Sequence, residues 1–216
     1  MEELDSEALE VRGRILLWQM AFNECEWLLQ LSGRAWAAFE SPERHAATKA
    51  YLDRMQEHAR AQAGYNPNLQ DGHVLHAWQI ANPEPFPTLM ECVQVRNAAT
   101  MLAIVIYCQP FIQGHGHTGV AAASSEALRE NYLEPAIREM FPDQSERQRF
   151  DTLRETLIER RNFVLGHAFA KQFDIEHGDG MTKLRMFATA ATEGIDVPYW
   201  MSTLKPLSAA LVQRMP

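Results

Sequence analysis

The sequence predicts an all-α fold, an antiparallel bundle of four to five helices. Two observations carry that prediction. Apolar residues recur at helical spacing in several long stretches, and capping and turn residues punctuate those stretches. A single helical domain over 1–216 follows, with no internal repeat and no low-complexity tract.

The first helix is expected over 5–39, where Ile15, Trp18, Phe22, Leu29 and Trp36 fall at helical spacing. Asp5 or Ser6 can cap its start, and Gly33 can end or bend it. Trp18, Trp27 and Trp36 recur at an interval that turns a helix by about half a revolution. Neighbouring tryptophans then face opposite ways, so core packing is expected rather than a binding stripe. A second helix follows over 41–62, with Ser41 as N-cap and Pro42 at its first position.

Gly, Asn-Pro and Asp-Gly between 63 and 73, then "NPEPFP" at 82–87, mark a long connection with a short helix near Val74–Ile80. The third helix, 88–111, contains the uncharged run 98–111. That run is shorter than the roughly 18 residues a membrane span needs, so a buried core helix is expected. A glycine-rich loop at 114–125 leads to a fourth helix at 125–141, which Pro135 can kink. The fifth helix runs over 143–173 with Phe150, Leu153, Leu157, Val164 and Ala168 as its apolar stripe. The remainder, 180–216, is set apart as a C-terminal appendage. "TKLRMFATA" in it reads as a short strand or turn, and "STLKPLSAALVQRM" as a short helix with Pro206 near its start.

Twenty basic and 28 acidic residues leave a net charge of −8. That argues against broad electrostatic coating of nucleic acid, while leaving room for a local phosphate site. Cys25, Cys92 and Cys108 have neither zinc-knuckle nor disulfide-framework spacing; buried free thiols and a reducing compartment are expected. The acidic N-terminus lacks the apolar core of a signal peptide, so a cytoplasmic protein without a membrane association is expected.

The stretch "ERRNFVLGHAFAKQFDIEHGDG" carries the chemistry. Arg161, Asn162 and His167 form an R-N-x4-H pattern late on the fifth helix. Arg160 stands seven residues before His167, so the two share a face about 10 Å apart. Arg161 falls on the side of the apolar stripe, because Leu157, Arg161, Val164 and Ala168 run at spacings of four, three and four. A cation there is costly unless it is paired or faces another subunit.

"LIERRNFVLGHAFA" resembles the mark of the HEPN superfamily, and is most similar to its abortive-infection-like branch. That mark is Arg, a polar residue and then His on the last long helix of an α-helical domain. The resemblance covers 88–171. It implies a HEPN-like fold and a homodimer in which two motif copies meet. It also implies a metal-independent endoribonuclease of toxin or phage-defence type, with RNA as substrate, no cofactor, and an antitoxin or regulatory protein as partner. His167 would act as general acid or base, Arg161 would stabilise charge on the phosphate, and Asn162 would orient a side chain or bond a phosphate oxygen. Arg160 would bind substrate and is the alternate to Arg161.

Two other readings stand beside it. Some members of that superfamily keep the fold as non-catalytic interaction modules. The residues also admit a purely structural role, since Arg160, Arg161 and His167 complement a helix C-terminus and Glu155, Glu159 and Asp174 can pair with the arginines. A more distant reading is a helical-bundle metalloprotein using His73/His76 or His115/His117. Asp174, Glu176, His177 and Asp179 do not have EF-hand spacing. No metal ligand set can be assembled from the sequence.

Overall fold

The computed structural model describes residues 6–61, 78–112, 124–167, 173–178, 181–186 and 194–216; of 163–167 and both strands it describes the backbone alone. The chain is all-α in character. Its helices are α1 (Ser6–Glu40), α2 (Pro42–Ala61), α3 (Leu89–Tyr107), α4 (Ser125–Leu128), α5 (Glu134–Met140), α6 (Gln144–His167) and α7 (Val197–Gln213). A 3-10 turn covers Gln109–Phe111 and a π-helical turn covers Arg129–Leu133.

The described residues form two compact units, Leu31–Arg96 and the remainder of the chain. In the smaller unit α2 starts where the sequence places it. Ser41 Oγ accepts from Arg44 N at 3.3 Å, and Pro42 is the first helical residue. Gly33 does not end α1; the helix runs on to Glu40, and the restriction that Pro42 places on Ser41 ends it there. The Pro-rich connection is held to α2 by Arg44, which donates to the Pro85 carbonyl at 3.0 Å, and by Thr48, which donates to Glu84 at 2.7 Å. Residues 78–81 are helical, and Trp78 packs on Tyr51 with ring centroids 5.4 Å apart. Thr88 and Glu91 form a reciprocal capping box that starts α3.

The larger unit holds the main core. Ile15, Phe22 and Cys25 of α1, Ile104 and Tyr107 of α3, and Leu128, Leu133 and Ile137 are all fully buried. Phe150 and Leu157 of α6 join them. Phe22 meets Tyr107 edge-on at 5.8 Å and Phe111 at 6.2 Å. Cys25, Cys92 and Cys108 are free and buried.

The tryptophan expectation is corrected. Trp27 is 54% exposed, and Trp18 and Trp36 are only half-buried. Half-turn spacing forces alternate members onto opposite faces, and α1 buries only one face. Trp36 instead lies under the Arg96 guanidinium at 3.8 Å.

Two further differences concern the C-terminal third. The fifth predicted helix is described as far as His167, and Phe173, its expected last residue, instead begins strand β1 (Phe173–Gly178), paired antiparallel with β2 (Met181–Met186). Gly178 stands opposite Met181, so only Asp179 and Gly180 separate the strands. Asp-Gly between two such runs is a strong hairpin signal, and β2 falls in the stretch "TKLRMFATA" expected as a short strand or turn.

The segment set apart as an appendage contains α7, whose Trp200, Leu204, Leu207 and Leu211 are buried in the larger unit. Its start is fixed by Asp196, which accepts from Tyr199 N at 3.0 Å, and by Pro198 in the first turn. Pro206 therefore lies inside the helix rather than near its start.

Among the described residues, Leu89–Phe111 is the one helical stretch long and apolar enough, by length and composition alone, to cross a membrane. Its Ala103, Ile104, Tyr107 and Cys108 are buried within the larger unit.

Tyr107 is fully buried, and its hydroxyl has no hydrogen-bond partner among the described residues. Burial is also what holds its pKa well above the usual tyrosine range. Tyr107→Phe is expected to leave the unfolding free energy within about 1 kcal/mol of wild type, or to raise it, because it removes a polar group that gains little. Urea titration checks this, and a large loss would reveal a partner for the hydroxyl.

Candidate functional site

The site is built on α6. Asp143 caps it, accepting from Ser145 N at 2.7 Å and Glu146 N at 3.3 Å. Phe150, Leu153 and Leu157 are buried, so these three members of the predicted stripe anchor the helix; Phe150 stacks on Phe141 at 4.8 Å. The side chain of Val164 and all of Ala168 lie outside the described residues.

Towards its C-terminal end α6 presents Arg161 and Asn162. Arg161 is half-buried and Asn162 exposed. Arg161 Nη1 donates to Asn162 Oδ1 at 3.1 Å, so the two polar members of the motif touch. Arg161 also lies close enough to the end of α3 to act on Cys108. Burial pushes that thiol up to about 12, and the Arg161 charge works in the opposite direction.

His167 is the last residue of α6, and its side chain is outside the described residues. It lies six positions after Arg161, about 9 Å of helix rise. Arg160 is half-buried and has interactions of its own.

Sequence reasoning missed the residues one and two turns upstream. Arg154, seven positions before Arg161, donates Nη1 to Glu134 at 2.9 Å and Nη2 to Asp151 at 3.0 Å. Its guanidinium lies 5.8 Å from the Phe111 ring centroid. Arg129 donates Nη1 to the Phe111 carbonyl at 3.3 Å. A cleft of about 250 Å³ is lined by Phe111, Arg129, Glu134, Arg154, Glu155 and Ile158. The i, i+7 relation of Arg154 to Arg161 was the available signal for this face; Arg129 and Phe111 come from other elements and had none.

The π turn explains how Arg129 is placed. Pro135 lacks a backbone N–H and its ring crowds the preceding turn. The helix widens there, and Glu134 N reaches back five residues to the Arg129 carbonyl. Such π turns recur at functional sites.

Among the described residues, no group of three or more His, Cys, Asp or Glu is placed to hold a metal. His73, His76, His115 and His117 lie outside the described residues, as does Asp179; of Asp174, Glu176 and His177 only the backbone is described. No family model, curated protein or solved structure matches the chain.

Proposed function

We propose that the chain is a cytoplasmic, HEPN-like homodimer acting as a metal-independent endoribonuclease of toxin or phage-defence type. The observation that supports this most is the Arg161–Asn162 side-chain contact near the end of the long α6, with His167 as its last helical residue. A guanidinium held by its neighbour is pre-oriented to fork onto phosphate oxygens. RNA brings its own nucleophile, so no metal is required to generate one.

In the proposed reaction the 2′-OH attacks the adjacent phosphorus. A 2′-O–P bond forms and the P–O5′ bond breaks, giving a 2′,3′-cyclic phosphate and a 5′-hydroxyl. Imidazole titrates near neutral pH, which suits His167 to take the proton from the 2′-OH or to give one to the leaving oxygen. Arg161 offsets the charge that builds on the phosphoryl oxygens.

A second reading, a non-catalytic interaction module on the same fold, is favoured by one feature of α1. Leu9, Leu16, Met20 and Trp27 are exposed at spacings of seven, four and seven, which aligns them on one helix face. Exposed apolar stripes mark interaction surfaces.

Incubation of purified protein with structured and single-stranded RNAs in EDTA separates the two. Fragments ending in a cyclic phosphate and a 5′-hydroxyl are expected. Intact RNA throughout, with a stable dimer in solution, would leave the module.

A further inference from the structure

The cleft beside Arg161 has a composition that a phosphate grip does not explain. At about 250 Å³ it lies below the roughly 300–1,000 Å³ of pockets that enclose drug-sized ligands. It has room for one planar group. Phe111 and Ile158 supply apolar wall, and Arg154 and Glu134 are committed to each other at 2.9 Å.

Two lining groups remain. Arg129 uses Nη1 on the Phe111 carbonyl, and a guanidinium carries five N–H donors, so most of its fork is still available. Glu155 is exposed at the rim and makes no hydrogen bond or ion pair among the described residues. The cleft therefore offers a donor fork and an acceptor carboxylate whose charges cancel. A neutral group with both acceptors and donors on its edges fits that better than an anion does.

A nucleobase is such a group. Guanine presents two adjacent acceptors, O6 and N7, which an arginine fork matches. It also presents two adjacent donors, N1–H and the 2-amino group, which a carboxylate matches. Adenine, cytosine and uracil each lack a second adjacent donor. Ile158 precedes Arg161 by one helical turn, about 4.5 Å of rise, so the cleft adjoins the proposed phosphate contact.

We propose that this cleft is a base subsite selective for guanine, with Arg129 donating to O6 and N7 and Glu155 accepting from N1–H and the 2-amino group. The proposal rests on the ribonuclease reading, because it treats Arg161 as the neighbouring phosphate contact.

The test uses 2′-O-methyl heptamers, UUUXUUU, which cannot be cleaved because the nucleophile is blocked. Their affinities for the full-length protein are measured in EDTA by fluorescence anisotropy. With X = G, binding about tenfold tighter than with A, C or U is expected, the discrimination of one good bidentate contact. Inosine, which lacks the 2-amino group, should fall between.

Glu155→Ala and Arg129→Gln should remove most of the preference, read for each variant as the ratio of its affinities for X = G and X = U. Circular dichroism and an unfolding midpoint on each variant check that the fold is retained.

Equal affinity for all four bases, with Arg161→Ala weakening every heptamer, overturns the subsite alone. A guanine preference that survives both variants overturns the residue assignment. No binding of any heptamer overturns the subsite together with the ribonuclease reading.

Discussion

His167→Ala is expected to slow RNA cleavage in EDTA by about 10²–10⁴-fold at matched dimer content, the usual contribution of a positioned acid or base. If the residue acts in the chemistry and not in the fold, the loss should appear in rate while the helical signal is unchanged. Arg161→Ala should also be slow, because it removes the fork proposed to grip the phosphate; if Arg160→Ala alone is slow instead, the alternate carries that role. Arg161→Lys should recover only part of the rate, since an ammonium is a point charge without the planar fork. Single-turnover rates with circular dichroism on each variant check this. Equal cleavage by wild type and His167→Ala would place the activity elsewhere and remove His167 from the chemistry.

The helical class and much of the element order were legible because helical periodicity and caps are local signals. Ser41 with Pro42, and Phe150, Leu153 and Leu157, behave as their spacing indicates. What was not legible depended on neighbours distant in sequence. The burial of Trp200 depends on Tyr107 and the α3 end, and no pattern within 180–216 announces it. The exposure of Trp27 depends on which face of α1 finds a partner; its hydrophobicity alone pointed the wrong way.

The same division holds at the candidate site. Arg161 and Asn162 are adjacent in sequence and were read together, whereas the cleft joins Phe111, Arg129 and Ile158 from three elements. A π turn set by Pro135 orients one of them, and the sequence suggested only a kink there. Of the hairpin, only the second strand was anticipated, in "TKLRMFATA". The acidic and histidine residues of 174–179 were weighed as metal ligands and set aside, while the alternation flanking Asp-Gly carried the strand pairing.

Trp200→Ala is expected to cost about 3–5 kcal/mol of unfolding free energy, as large-to-small changes of buried aromatics do. Trp200 is fully buried and meets Tyr107 edge-on at 5.5 Å. It opens an apolar face that continues through Leu204, Leu207 and Leu211 at spacings of four, three and four, all within the larger unit. Its removal therefore leaves a void against α3 that the rigid aromatic cluster of Phe22, Tyr107 and Phe111 cannot close. Trp200→Phe should cost less, because it keeps an aromatic ring against Tyr107 and deletes an indole N–H that has no partner among the described residues. Guanidinium unfolding followed by tryptophan fluorescence and circular dichroism gives both values. A cost under about 1 kcal/mol for the alanine variant would mean that α7 is dispensable to the core. The segment after 180 would then be the appendage that its sequence suggested. A cost in the expected range ties the C-terminal helix to the same core that positions α6, so shortening the chain before 197 should abolish the candidate site along with the fold.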